Sequence, residues 1–96
     1  MSERLRTRRG RLQTRGPGGW RDWNPWRSKL AAWLRASRRE WPLEPDARVL
    51  YLGAAEGTTV SHVCDLCPQG MVAAVEVSPT AMAELLVVTE RYQHLL

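Results

Sequence analysis

Residues 49–60 read VLYLGAAEGTTV, and this stretch decides the fold. Val49 to Leu52 form a short, uninterrupted apolar run that Gly53 closes. Such a run is typical of a strand that is covered on both faces in a parallel sheet. After a turn, either Thr58 or Thr59 can cap a helix. The stretch therefore predicts a strand, a tight turn and a helix in succession.

The chain downstream repeats this order of elements. The first helix is predicted to end before Pro68, and its apolar stripe consists of Val60, Val63, Cys64 and Cys67. Residues 71–77 predict a second buried strand, and Ser78-Pro79 predicts the N-cap and first position of a second helix. The apolar stripe of that helix consists of Met82, Leu85, Leu86 and Thr89. A right-handed crossover makes the two strands parallel neighbours, with a ligand crevice outside their carboxyl ends.

This order of elements predicts the α/β fold class. Two strands and two helices cannot cover both faces of a parallel sheet, which is stable only when several strands are covered. We therefore expect residues 21–96 to form the first half of a Rossmann-like domain, containing its first two βα units. The second strand should present an unpaired edge, and one face of the sheet should lack cover.

An amphipathic helix is predicted upstream of these units, from Asn24-Pro25 to a point before Pro42. Its apolar stripe consists of Trp26, Leu30, Trp33 and Leu34. Its opposite side carries Arg27, Arg35 and Arg38, and Lys29 lies close to its start. The spacing therefore predicts a helix with one apolar and one basic side.

Residues 1–20 are rich in arginine and are interrupted by Gly10, Gly16 and the run Pro17-Gly18-Gly19. These interruptions break any regular period. We expect a basic irregular segment, or one weak hairpin, with no packed core.

The net charge of +4 conceals an uneven distribution. Residues 1–39 contain twelve basic and two acidic residues, whereas residues 40–96 contain two basic and eight acidic ones. A basic segment with interleaved tryptophans suits a phosphate-backbone partner, because cations release counterions and indoles offer stacking faces. A solvated basic tail explains the charge equally well.

Several classes of protein are disfavoured. The longest uninterrupted apolar run, residues 71–75, is too short to cross a bilayer, and no apolar signal segment follows the N-terminus. A reducing, cytoplasmic compartment is the default expectation. The C-x-x-C pair Cys64 and Cys67 lacks the further ligands of a structural zinc site, and both sulfurs are expected in the core. His62, opposite the apolar stripe, is expected to be solvated.

The loop after the first strand suits a nucleoside cofactor. Its spacing from Gly53 to Gly57 is G-x-x-x-G, which lacks the central glycine that a pyrophosphate-binding fingerprint requires. Glu76 follows 23 residues after Gly53, where a carboxylate can accept hydrogen bonds from both ribose hydroxyls of an adenosine. An adenosine without a diphosphate is found in S-adenosylmethionine. A tight turn beside an exposed acid is the alternative.

Three stretches closely resemble the fibrillarin family of RNA ribose 2′-O-methyltransferases. They read WNPWRSKLAA at 23–32, VLYLGAAEGTTVSHV at 49–63 and AVEVSP at 74–79. The resemblance runs in order from about residue 21 to residue 96, and it implies that residues 1–20 are what remains of the β-rich N-terminal domain of family members. The residues after Glu76, including Met82 to Leu86, are more similar to archaeal members than to eukaryotic ones.

The resemblance implies a seven-stranded fold that transfers a methyl group from S-adenosylmethionine to ribose in ribosomal or transfer RNA. It assigns cofactor contacts to Gly53, Ala54, Ala55, Thr58, Thr59, Glu76 and Val77. Of the family's catalytic Lys, Asp, Lys and His, only the first matches a residue here, Lys29. Lys29 is also the only lysine beside thirteen arginines, and a cation can stabilise a ribose oxygen as its proton leaves.

The resemblance also implies partners and a location. The partners are box C/D guide RNA with its ribosomal or transfer RNA substrate, a Nop-family scaffold protein and, through that scaffold, a kink-turn-binding ribosomal protein. The location is cytoplasmic for an archaeal protein and nucleolar for a eukaryotic one. Two other interpretations stay open: a non-catalytic RNA-binding or assembly protein, and a gene fragment with no stable fold.

Overall fold

The computed structural model describes residues 3–37 and 41–96. Within these ranges the chain forms five strands and three helices. In chain order they are β1 (Leu5–Arg8), β2 (Arg11–Gly16), β3 (Gly19–Asp22), α1 (Lys29–Ser37), β4 (Arg48–Leu52), α2 (Thr58–Leu66), β5 (Met71–Val75) and α3 (Pro79–Thr89). The order from β4 to α3 is the predicted one, and the α/β fold class is confirmed.

The N-terminal segment is not irregular. Strands β1, β2 and β3 form an antiparallel sheet, and β3 runs across residue 20. Arg9 and Gly10, with φ of 52° and 76°, form the two-residue turn between β1 and β2, and positive φ at both positions matches the twist of a hairpin. Of the residues interpreted as interruptions of structure, Gly10, Pro17 and Gly18 therefore lie in the turns of this sheet, whereas Gly16 and Gly19 are the paired end residues of β2 and β3.

A packed core does begin in this sheet, contrary to the sequence prediction. Burial alternates along β2, where Leu12, Thr14 and Gly16 face inward and the intervening residues are exposed or half-buried. The inward face packs on α2. It contributes to a cluster made of Leu12, Trp23, Ala31, Leu34 and Leu66. Only Leu12 among the inward residues of β2 is apolar, so the alternation is almost invisible in the sequence.

Helix α2 lies between the two sheets, in contact with β2 on one side and β5 on the other. Every residue from Val60 to Leu66 is buried. A helix that is buried all round has no solvated side, so His62 is 4% exposed rather than solvated as predicted. Cys64 and Cys67 lie in the interior as predicted, each 0% exposed.

The parallel sheet pairs β4 with β5 in register from Arg48 opposite Met71 to Leu52 opposite Val75. β5 ends at Val75, two residues before the predicted end. Its outer edge is not unpaired as predicted, because residues 94–96 run parallel to it. The Val72 amide donates to the His94 carbonyl oxygen at 2.9 Å, and the Ala74 amide donates to that of Leu96 at 2.8 Å.

One face of the parallel sheet lacks cover, as predicted. Leu50 and Leu52 of β4 are 66% and 70% exposed. The opposite face packs against α2 and α3 in a cluster that includes Val60, Val63, Val72 and Leu85. The prediction that β4 is covered on both faces is therefore wrong for this chain.

Helix α1 begins at Lys29 rather than at Asn24. Asn24 caps only a single turn, because its side chain accepts from the Trp26 amide at 2.9 Å and its carbonyl oxygen from the Arg27 amide at 3.1 Å. Of the predicted apolar stripe only Leu34 is buried; Leu30 is half-buried, whereas Trp26 and Trp33 are exposed. Arg38 lies outside the described residues.

The other two helices begin differently from each other. Gly57, with a φ of 96°, is the N-cap of α2 and provides no side-chain cap, so neither Thr58 nor Thr59 caps this helix as predicted. The N-cap of α3 is Ser78, whose side chain accepts from the Ala81 amide, and Pro79 follows at the first helical position. This second cap is the predicted one. Among the described residues, no helix combines the length and the apolar character needed to cross a membrane.

Candidate functional site

The site lies at the carboxyl ends of β4 and β5, where the chain turns sharply. The amides of Gly53 and Ala54 both donate to the Val75 carbonyl oxygen, at 2.8 and 3.1 Å. Gly53 has a φ of 75° and Ala55 a φ of 51°. A non-glycine residue with positive φ is uncommon and marks a constrained turn. The turn aims the Ala55 amide at the Glu76 carboxylate, where it donates to Oε1 at 2.7 Å.

Glu76 joins the two loops that follow the strands. Its Oε1 accepts from the Ala55 amide, and its Oε2 accepts from the Ser78 amide at 2.8 Å. The amides of Ser78 and Ala55 lower the pKa of this carboxyl. A carboxylate has about four acceptor positions, so Glu76 is held in one orientation, ionised, with acceptor capacity left for a ligand. Val77 beside it is 92% exposed.

The two threonines at the start of α2 have different partners. The Thr58 hydroxyl donates to Glu56 Oε1 at 2.9 Å. The pKa of the Glu56 carboxyl is lowered by hydrogen bonds from the backbone amide of Glu56 itself and from the Thr58 side chain. The Thr59 hydroxyl donates instead to Ser28 Oγ at 2.9 Å. Because Gly57 provides no side-chain cap, the first amides of α2 are left available at this end of the helix.

Ser28 links the start of α1 to the site. It is 4% exposed, accepts from Thr59, and caps α1 by accepting from the Ala31 amide at 3.3 Å. Lys29 follows as the first residue of α1 and is exposed. The structure therefore brings Lys29 close to the N-terminal end of α2, although 20 residues separate the end of α1 from the start of α2 in the sequence.

The sequence-predicted residues thus divide into two groups. Gly53, Ala55 and Glu76 lie together at the strand ends, whereas Thr59 lies at the start of α2 and bonds to Ser28, the residue before Lys29. Ala54 is 4% exposed and packs in the core, so only its backbone faces the turn. Ser28 and Glu56 are site residues that sequence reasoning missed. The sequence signal for Ser28 is its residue type, because serine is a preferred N-cap residue and Ser28 directly precedes α1.

A second polar cluster lies behind the site, in the interface between α2 and the N-terminal sheet. Asp65 is 1% exposed. Its Oδ1 accepts from the Tyr92 hydroxyl at 2.6 Å, and its Oδ2 accepts from the Thr14 hydroxyl at 2.6 Å and from Arg21 Nη2 at 2.7 Å. The Arg4 side chain donates to the Asp65 carbonyl oxygen. One buried carboxylate therefore ties β2, β3 and residue 92 to α2.

His62 belongs to this cluster. Its ring stacks on Trp23, with centroids 5.0 Å apart and planes 12° from parallel, and its Nδ1 lies 2.6 Å from Thr14 Oγ1. Because the Thr14 hydroxyl donates its hydrogen bond to Asp65, its oxygen accepts a hydrogen bond from His62 Nδ1–H. Burial lowers the pKa of His62 to about 4, so the ring is neutral at pH 7. Burial also raises the pKa of Cys64 to about 12, which leaves an unreactive thiol.

The fold and the site together define a class of protein. The parallel order of β4, β5 and residues 94–96, with a turn and an acidic residue at the strand ends, is that of a Rossmann-like α/β fold that binds a ligand at this edge. The chain contains two βα units of this fold and the start of a third parallel strand.

Comparison with known proteins identifies the family. The family model described as Fibrillarin matches residues 3–96. A fibrillarin of Giardia intestinalis, named an rRNA 2′-O-methyltransferase, is 53% identical over 72 residues, which make up 74% of this chain and 22% of that protein. The chain belongs to the fibrillarin family.

Solved structures of fibrillarins superpose on all or most of this chain. A fibrillarin in a fibrillarin/Nop5p complex superposes with a TM-score of 0.91 and 35% identity, covering 100% of this chain and 50% of that one. An Aeropyrum pernix fibrillarin with natively bound S-adenosyl-L-methionine gives a TM-score of 0.82 and 36% identity, covering 90% of this chain and 45% of that one. The chain thus spans half or less of the length of each of these relatives.

Proposed function

We propose that this chain forms the cofactor-binding half of an RNA ribose 2′-O-methyltransferase that uses S-adenosylmethionine. The substrate is ribose in ribosomal or transfer RNA, at positions selected by box C/D guide RNA. The observation that carries the proposal is the Glu76 carboxylate, held ionised by the amides of Ala55 and Ser78 at the carboxyl ends of two parallel strands. Ligands of Rossmann-like folds bind at this edge.

The residues present fit the adenosine part of such a cofactor. Glu76 retains acceptor positions for the two ribose hydroxyls, which a carboxylate binds with charge-assisted hydrogen bonds. Gly53 has open space where a side chain would stand, so a ligand can approach its backbone. Val77 offers an exposed apolar surface beside Glu76. When bound, S-adenosylmethionine supplies an electrophilic methyl group on a sulfonium.

Lys29 supplies a cation to the acceptor side of the reaction. The 2′-hydroxyl of ribose is a weak acid, and its oxygen gains negative charge as the proton leaves. An ammonium group near that oxygen stabilises the developing charge. The Ser28–Thr59 hydrogen bond supports this role, because it holds the start of α1 against the start of α2. The remaining Asp, Lys and His of the family's catalytic set have no counterparts in this chain.

Partners and location follow from the same proposal. A Nop-family scaffold is supported by the relative solved with Nop5p, and the kink-turn-binding ribosomal protein would associate through that scaffold. The basic first third of the chain, with twelve basic residues against two acidic ones, supports RNA binding. The protein would work in the cytoplasm of an archaeon or in the nucleolus of a eukaryote.

Calorimetric titration with S-adenosylmethionine tests the proposal. The chain is titrated alone and together with the complementary C-terminal half of a related fibrillarin. We expect Glu76→Ala to weaken binding by about thirtyfold or more, because two charge-assisted hydrogen bonds to the ribose are lost. Glu84→Ala, which removes an exposed carboxylate on α3, is the matched control and should leave binding unchanged.

Two results would contradict the proposal. Equal affinity of Glu76→Ala and the unaltered chain would remove Glu76 from the site. Absence of binding both alone and with the complementary half would instead favour the non-catalytic RNA-binding alternative.

A further inference from the structure

Trp26 is the most exposed large apolar side chain of the described residues, with 94% of its surface accessible. Tryptophan is usually well buried, so this exposure calls for a function. The residue is not on a loose loop. The Asn24 side chain and carbonyl oxygen accept from the amides of Trp26 and Arg27, which fixes the turn immediately before α1. An indole is therefore presented to solvent from a fixed position.

Two concave spaces meet at Trp26. One, of about 350 Å³, lies between the N-terminal sheet and α1 and is lined by Arg11, Trp23, Trp26 and Arg35 among others. The other, of about 660 Å³, is lined by Pro25, Trp26, Ala32, Arg35 and Ala36. Trp26 and Arg35 line both spaces. The indole therefore stands between two openings, with a guanidinium group beside it.

The charges around Trp26 favour an anionic ligand. Arg27 and Arg35 are exposed near it, and Lys29 begins the same helix. Asp22, the acidic residue in the first space, is already paired with Arg11 at 3.0 Å. The Ser28–Thr59 hydrogen bond holds the chain just after Trp26 against the start of α2, near the loop after β4. Cores of protein–protein interfaces are depleted of charged residues, whereas a phosphate backbone requires cations.

We infer that the Trp26 surface, made of Trp26, Arg35 and the two spaces beside them, binds a single-stranded stretch of the RNA strand that carries the acceptor ribose, outside the part that pairs with a guide. A base stacks on the Trp26 indole, and Arg35 contacts the adjoining phosphate. The inference deepens the proposed function, because it assigns a position to the RNA strand that carries the acceptor ribose. Stacking tolerates any base, so this surface holds the strand while base pairing with a guide selects the site.

The test is equilibrium RNA binding by the full chain in the absence of S-adenosylmethionine. The probe is a fluorescein-labelled uridine oligoribonucleotide of about ten nucleotides, within the usual site size of a stacking groove. We expect Trp26→Ala to weaken binding at least about fivefold, since a base–aromatic stack is worth that much by alanine substitution. Trp26→Tyr should retain most of the affinity. Trp33→Ala, which removes a tryptophan from α1 that lines neither space, is the matched control.

An abasic oligonucleotide of the same length separates stacking from phosphate binding. Trp26→Ala should leave the affinity for the abasic probe unchanged, whereas Arg35→Ala should weaken both probes and reduce the dependence of binding on salt. The inference is overturned if Trp26→Ala binds the uridine probe as tightly as the unaltered chain, the result expected of a protein-docking surface. It is also overturned if Trp26→Ala weakens both probes equally, or if the unaltered chain binds neither. Because no cofactor is present, these outcomes are independent of the Glu76 titration.

Discussion

Among single residues, Lys29 is the one proposed to act on the acceptor oxygen rather than on the cofactor. In an enzyme completed with the C-terminal half of a related fibrillarin, we expect Lys29→Ala to lower the rate of methyl transfer by about 10² or more. Cofactor affinity should stay nearly unchanged, because the interaction is made mainly in the transition state. Lys29→Arg should recover little, since a guanidinium is wider and forked. Single-turnover rates and calorimetry provide the two measurements.

Arg91→Ala is a suitable control for the loss of one positive charge, because Arg91 is an exposed residue just after α3. Equal single-turnover rates for Lys29→Ala and the unaltered enzyme would return Lys29 to the status of a surface lysine.

His62 gives a second prediction at this scale. Burial holds its pKa at about 4 in the folded chain, against 6.5 when unfolded. Between these values the unfolded state binds more protons, so the free energy of unfolding rises as the pH increases from about 4 to 6.5. On acidification through this range, the contribution of His62 to stability is lost. The full effect is about 3 kcal/mol. Urea denaturation across this range should show that His62→Phe, which keeps a ring against Trp23, lacks this part of the pH dependence. An unaltered slope in the variant would contradict the burial of a neutral His62.

At the scale of elements, the sequence predicted what local patterns encode. The strand–helix–strand–helix order from Val49 onward and the Ser78 cap both follow from apolar runs and capping residues within a few positions. The N-terminal sheet was missed because its inward face holds Leu12, Thr14 and Gly16, and two of these are not apolar. Thr14 and Gly16 face inward only because Asp65, 49 residues beyond Gly16, lies against them. No local pattern contains that contact.

The same limit applies to the candidate site. Glu76 and the Gly53 loop were predictable because the ends of parallel strands meet at one edge. The connection from Ser28 to Thr59 was not predictable, since it joins helices whose relative position depends on tertiary packing. Trp26 was wrongly assigned to an apolar stripe, because helical periodicity was extended through a turn that Asn24 holds apart from α1.

Gly16 provides a prediction for the contact between β2 and α2. A Cβ at this position would lie 2.7 Å from Asp65 Oδ1, and Asp65 cannot move freely because Tyr92, Thr14 and Arg21 hold its carboxylate. We expect Gly16→Ala to lower the free energy of unfolding by about 1 to 3 kcal/mol, the usual cost of overpacking. Gly18→Ala, in the turn of the same hairpin, meets nothing within 4 Å and is the matched control. Equal urea midpoints for the two variants would show that the sheet does not pack on Asp65.

At the scale of the whole molecule, two sheets share one buried helix. Helix α2 packs against β2 on one side and β5 on the other, and Asp65 links both sides through Thr14 and Tyr92. The parallel sheet nevertheless presents Leu50 and Leu52 to solvent, and the chain spans half or less of the length of its fibrillarin relatives. We therefore propose that the chain supplies the cofactor-binding half of the enzyme and needs a complementary half for catalysis.

Incorporation of tritiated methyl groups from S-adenosylmethionine into a guide-matched RNA, at fixed salt, tests this claim most directly. We expect no transfer by the 96-residue chain alone and transfer when the complementary half of a related fibrillarin is added. Fixed salt is needed because RNA loading depends on ionic strength. Robust incorporation by the chain alone would show that it does not need a complementary half. Absence of transfer from a reconstituted pair that binds both cofactor and RNA would show that the pair is not a methyltransferase.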